Sequence, residues 1–399
     1  MRALAALAAV AVVVVSCSGS ARSGASPSPF ATVSPIASNL AESKAADFRI
    51  RLDLLLGEHV LLIAKQSSAP TRQAEYTSYL LLLTANSADL TELVGSAMGD
   101  SVANRFEKIW NAQNDYLVNY TIGLVTHNKA KSDAALSGLS NTFVPQFSQL
   151  LSDVTQNPSS QIVPLVSRQM LETKAMLDDQ LAKGYPRLYA DIQTSYAHAT
   201  QVGDAIAPRI AARFPDKFPG SASSPAADLR AFLNLSFQAH SYLATMRTSA
   251  VIGRRAAEQA AAAGALAENE NALDGQFTDL FGAASALSFD QVWAAGKAAI
   301  FAYASASTSV SRQRASLLLT DAWVTQLSSW LADSAGLAAD ASRTALESRL
   351  EAIVTVIDDQ RVRSWSKLAP DDRSAAASTE VVADLIAAAA IAKLHARFG

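Results

Sequence analysis

The sequence predicts an all-α protein: two tandem homologous up-down helical bundles of about six helices each, behind a signal peptide and a flexible tether. Three observations predict this. Half of the residues are hydrophobic and only 17% are charged, with alanine abundant and glycine scarce, a composition that favours helix. Beyond Ala46, apolar residues recur with a period near 3.6 almost everywhere. Finally, the stretch "NSADLTELVGSAMGDSVANRFEKIWNAQNDYLVNY" aligns without gaps on "NENALDGQFTDLFGAASALSFDQVWAAGKAAIFAY". Asn86 meets Asn269, Trp110 meets Trp293 and Tyr120 meets Tyr303, each pair 183 positions apart. A constant offset across two helices and their turn is the mark of an internal repeat.

The N-terminus begins with Arg2 and an unbroken apolar run over residues 3–15, the length of a signal-peptide core and short for a bilayer span. The run ends in Val14-Val15-Ser16-Cys17, an aliphatic residue at −3 and a small residue at −1 before the cysteine. This tetrapeptide resembles a bacterial lipobox. The resemblance implies cleavage after Ser16, a diacylglyceryl group on the Cys17 thiol, and stable anchoring through two acyl chains to the outer face of the cell membrane. Cys17 is the only cysteine, so no disulfide forms within the chain and no second thiolate is available for catalysis or metal binding. A Ser-, Ala-, Pro- and Gly-rich segment follows up to residue 45. If flexible, its roughly 26 residues from Ser18 to Ser43 have an r.m.s. span of about 28 Å.

Breaks at Ser67-Ser68-Ala69-Pro70, Met98-Gly99-Asp100-Ser101, residues 127–131, Gln156-Asn157-Pro158 and Gly184-Tyr185-Pro186 divide residues 46–214 into about six helical segments. Residues 215–225, with three prolines and three serines, read as a linker whose Ser224-Pro225 pair suits the N-cap and first position of a new helix. A second helical unit covers residues 226–399. His59 answers His240 after a two-residue gap change, and Ala212-Arg213-Phe214 answers Ala396-Arg397-Phe398. Each unit has an ordinary domain size.

A few polar residues fall on the apolar stripes. In "LDLLLGEHVLLIAK" the stripe carries His59, with Glu58 beside it; the next two helices carry Asn86 and Gln113. Buried polar groups need partners, so His59, Asn86 and Gln113 are expected to bond one another as a polar layer that fixes register. His240 and Asn269 recur in the second unit, where Gly296 replaces Gln113. The competing reading is a metal site peculiar to the first unit. Glu58, Asp115 and His198 have apolar or small counterparts in the second unit. With His59 they would suit copper, iron or zinc if their helices adjoin. No cofactor is otherwise expected.

The net charge is −3 with cations spread along the chain, which argues against nucleic-acid binding. HExxH, Glu-x-x-His, CxxCH, G-x-S-x-G, P-loop and G-x-G-x-x-G motifs are all absent. "LLLGEHVLLIAK", "FEKIWNAQNDYLVNYT" and "SYAHATQVGDAIA" resemble a group of uncharacterised secreted helical proteins of Gram-positive bacteria, some labelled copper amine oxidases. The resemblance implies envelope binding or metal handling. It does not extend to amine oxidation, whose quinone-forming signature needs Asn-Tyr followed by an acid on a β-sandwich, where this chain has Asn119-Tyr120-Thr121 in a predicted helix. The expectation is a non-enzymatic binding or structural lipoprotein of the envelope, with metal handling as the alternative.

Overall fold

A computed structural model describes residues 42–69 and 73–398. The signal sequence, Cys17 and most of the tether lie outside them. The described residues are almost wholly helical, with no strand among them, so the all-α class holds. They belong to one compact unit.

The first run of helices is α1 (Lys44–Ser68), α2 (Gln73–Met98), α3 (Asp100–Val125), α4 (Lys129–Gly138), α5 (Val144–Thr155), α6 (Ser159–Ala182) and α7 (Tyr185–Arg213). The second is α8 (Pro225–Ile252), α9 (Ala256–Phe281), α10 (Ala283–Ser305), α11 (Ser309–Thr320), α12 (Leu327–Trp330), α13 (Ala339–Val362) and α14 (Trp365–Lys393), followed by the short α15 (His395–Phe398). The predicted segment between residues 131 and 156 is one helical run carrying a π turn, Leu139–Phe143, between α4 and α5. A second π turn, Asp321–Gln326, sits at the corresponding place after α11, and a third, Leu331–Ala335, follows α12. Such turns widen the helix by one residue and re-aim side chains, which a 3.6-residue pattern cannot show.

Local signals set the boundaries. Ser43 caps α1 by accepting from the Ala46 N–H at 3.0 Å, and Ser224 caps α8 by accepting from Ala227 at 3.1 Å, with Pro225 in the first turn. Gly99 and Gly282 separate α2 from α3 and α9 from α10 at φ of 90° and 86°, backbone that side-chain-bearing residues rarely adopt.

Packing is reciprocal. Within the halves α1 lies on α7 and α8 on α14; across them α1 lies on α8, α14 on α2 and α7 on α9. The ion pairs follow the same rule. Arg49 bonds Asp204 of its own half at 2.6 Å and Asp228 of the other. Arg230 bonds Asp384 of its own half at 2.8 Å and Asp47 of the other at 2.5 Å. These residues are sequence counterparts, so residue i touches j while j's counterpart touches i's, the signature of a two-fold contact.

The segment between α7 and α8 is fastened to the first half. Phe218 packs on Phe48 with ring centroids 4.6 Å apart, Lys217 donates to the Ser96 and Ala97 carbonyls at the end of α2, and the Ser221 and Ala222 carbonyls accept from Ser43 and Arg49. α14 is long and apolar enough by composition to cross a bilayer, and it packs against α2, α8 and α13.

Candidate functional site

The five residues expected in polar layers occupy matched places in the two halves. In both, the asparagine of the second helix donates to a backbone carbonyl of the first, four residues before the histidine: Asn86 to Leu55 and Asn269 to Ser236, each at 3.0 Å. In both, the histidine ring lies against a tryptophan, His59 on Trp110 at 4.7 Å and His240 on Trp293 at 4.9 Å. The expected mutual bonding differs from the observed geometry. Neither imidazole makes a well-formed hydrogen bond, and Gln113 shares a small cavity of about 30 Å³ with His59 and Trp110 without bonding it. Tilted packing against the indole, at 51° and 59° between ring planes, accounts for this, because it turns the imidazole toward the aromatic ring rather than the amide. Burial pushes His59 down to about 4 and His240 well below its ordinary value, with the adjacent Asn side chains opposing, so both rings are neutral at pH 7.

The second half fills the place that Gln113 takes in the first. Trp323, brought in by the π turn, packs so close to Gly296 that a Cβ there would lie inside the indole ring. Arg349, fully buried where the first half has Gln169, stands 4.1 Å from the centre of the Trp323 ring and 5.2 Å from Trp293. Burial lowers it to about 9, which leaves it charged at pH 7.

Glu58 is buried and belongs to a polar cluster between the halves. Its carboxylate accepts from Asn86 at 2.8 Å, from Tyr242 at 2.8 Å and from Arg373 at 2.9 Å, and Arg373 also pairs with Asp89. One to two turns away, Lys65 pairs with Asp372 and donates to Thr245 at 2.8 Å, while Tyr79 donates to Asp372 at 2.9 Å. The counterparts of this second group tell the rest. Lys65, Tyr79, Thr245 and Asp372 correspond to Met246, Ala262, Ala64 and Ile192. One edge of the two-fold contact is therefore ionic and the other apolar. Breaking one partner of a buried ion pair costs about 3–5 kcal/mol because it strands the other charge, so the cluster holds one relative setting of the halves.

The four residues considered for a metal do not assemble. Asp115 is exposed on α3, Glu58 is ion-paired with Arg373, and His198 faces Glu172 of α6 with Nδ1 3.4 Å from Oε2. Among the described residues no group of three or more His, Cys, Asp or Glu side chains is placed to hold a metal ion. The reason is register. On α1, Glu58 points across the contact between halves while His59 turns into its own half, about 100° round the helix.

Sequence reasoning missed the open spaces. Two clefts lie at the end where α1, α8, α6 and α13 finish. One, about 340 Å³, is lined by Ser68, Gln180, Lys183, Tyr185, Arg255 and Glu258 among others. The other, about 510 Å³, is lined by Ser249, Arg255, Gln360, Arg363 and Trp365 among others. They share Ser249 and Arg255, and a narrow space of about 20 Å³ with walls common to both leads inward to Lys65 and Tyr79. A sequence signal existed: "QLAKGY" from Gln180 and "QRVRSW" from Gln360 place Gln, a cation and an aromatic at the same spacing.

Compared with known proteins, the chain matches no family description, no curated protein and no solved structure.

Proposed function

We propose that the protein is a lipid-anchored lipoprotein of the extracytoplasmic membrane face, serving the cell envelope as a non-enzymatic binding module. We read its body as a duplication of one helical unit whose copies have fused across a two-fold contact. The constant sequence offsets, the matched helix order and the reciprocal Arg49 and Arg230 ion pairs support that reading. The lipobox at Cys17 and the tether behind it support the anchoring. The binding role rests on one observation: two adjoining clefts of about 340 and 510 Å³, within the range of small-molecule sites and walled by both halves. The interior ion pairs, by contrast, hold the body together. Metal handling is not carried forward, since its ligands do not converge.

The anchoring is tested by expressing the full chain in a bacterial host with labelled palmitate. Label should enter the wild type and follow it into the membrane fraction, and Cys17→Ser should stay unlabelled. Label retained by Cys17→Ser, or missing from the wild type, overturns it.

A further inference from the structure

We propose that the two clefts are a matched pair of sites for small anionic ligands. A carboxylate or phosphate is held by Lys183 in one and Arg363 in the other, and a planar or aliphatic part of the ligand lies against Tyr185 or Trp365. The inference deepens the binding role given above and rests on it.

The first argument is internal repetition. The halves have diverged widely even in their shared core, yet this end keeps its set in kind. Ser68, Gln180, Lys183 and Tyr185 have Ser249, Gln360, Arg363 and Trp365 as counterparts. Each half places its members in one cleft, with Ser249 in both. Core packing explains retained apolar residues; it does not explain a cation kept on the surface.

The second argument is backbone strain. Lys183 and Arg363 end α6 and α13 in the left-handed region, at φ of 56° and 60°. Glycine is the usual residue there, because a Cβ in that conformation crowds the backbone. Strained residues of this kind cluster at ligand clamps. Both halves keep a long cation at the strained position.

The third argument is that these cations are uncommitted. Several basic side chains near the ends of helices are tied to carbonyls: Arg213 to Asp153 and Val154, Lys217 to Ser96 and Ala97, Arg361 to Tyr303, Lys393 to Ser334. Lys183 and Arg363 are exposed, and neither side chain has a hydrogen bond or ion pair among the described residues. Arg255, between the clefts, is paired with Glu258 at 2.5 Å, and Glu75 on the first cleft wall is engaged as well. Among the described residues, each cleft then has one uncommitted cation in its lining, Lys183 or Arg363, with the ring of Tyr185 or Trp365 in the same lining. That pairing recognises an anion attached to a flat or apolar group.

The test uses the folded body with 8-anilinonaphthalene-1-sulfonate as probe, a sulfonate on planar rings, followed by fluorescence and equilibrium dialysis. The wild type should bind two molecules that benzoate or phenyl phosphate displaces. Which of the two competes better tells a carboxylate site from a phosphate site. Lys183→Gly and Arg363→Gly should each weaken one site by about tenfold or more. Both should melt at or above the wild-type temperature, because glycine relieves the left-handed backbone. A loss of binding by a more stable variant cannot be a folding defect. Should either glycine variant prove less stable, Lys183→Gln and Arg363→Gln, which keep the backbone as it is and remove only the charge, must show the same loss. Unchanged binding in these variants, or probe that neither anion displaces, overturns the inference. Neutral 1-naphthol separates the two levels. If it binds where the sulfonate does not, the clefts are binding sites for uncharged ligands and only the anionic assignment fails; if neither binds, the binding role fails with it.

Discussion

Asp53 shows how one atom type changes what a position does. It is fully buried on α1, faces Asp204, and has Asn234 as its counterpart facing Asp384. In the second half the Asn234 amide donates to Asp384 at 2.7 Å. In the first, two carboxyl groups meet. Arg49 stands 3.7 Å from Asp53, but its strong bonds go to Asp204 and Asp228. Burial, then the Asp204 charge, holds the Asp53 carboxyl well above the usual carboxylate range, so it takes the hydrogen-bonding role of the amide only by keeping its proton. A group whose pKa is raised on folding gives stability that is present at low pH and lost as pH rises. Asp53→Asn should therefore gain stability relative to the wild type as pH rises from 5 to 8. Urea unfolding at the two values checks this, and a variant less stable at pH 8 would mean Arg49 holds an ionised Asp53.

Among the elements, helix boundaries were legible because proline, glycine and serine act within a turn of where they stand; Ser43, Gly99 and Ser224 each mark an end. The stripe position of His59, Asn86 and Gln113 was legible from the 3.6-residue period, since all three are buried. Their bonding was not, because it depends on which neighbour is nearer: Asn86 meets the Leu55 carbonyl and Glu58, and His59 meets an indole. Nor were the partners of Glu58, since Tyr242 and Arg373 come from the other half. The π turns were hidden for a further reason. They break the helical period only after the fold has formed, and Trp323 fills the space beside Gly296 because one of them re-aims it. That fit gives a sharp expectation. Gly296→Ala adds one methyl group where the indole already lies, and should destabilise the protein by about 2–3 kcal/mol, the size of an overpacked core. Gly275, with no heavy atom within 4 Å of an added Cβ, is the control: Gly275→Ala should hold or raise stability through helix propensity. Equal effects at the two positions would refute the close packing of Trp323.

At the scale of the whole molecule, the buried titratable groups oppose one another. His59, lowered to about 4, and His240, lowered well below its ordinary value, are neutral in the fold, whereas the unfolded chain protonates both near pH 6.5. They take stability away as pH falls below 6.5. Glu380 acts in reverse. Burial first, then the Glu58 and Asp384 charges, push it up to about 7 against the pull of Arg51, and Asp53 is raised as well. These carboxyls take stability away as pH rises above about 4.5. Between about pH 4.5 and 6.5 these imidazoles and carboxyls act at once with opposite slopes, each at most about 1.4 kcal/mol per pH unit. The wild-type curve should accordingly be flatter there than either set alone would make it. Below the window the buried histidines take stability away with acid; above it the buried carboxyls take it away toward pH 7 and beyond. Glu380→Gln removes one arm of the balance. Its melting temperature should rise relative to that of the wild type across the window, by the equivalent of roughly 1 kcal/mol per pH unit, and decline less above it. Thermal unfolding of both proteins at half-unit steps from pH 4 to 8 decides the matter. Parallel curves for the two would mean that Glu380 is ionised in the fold, with Arg51 outweighing its burial.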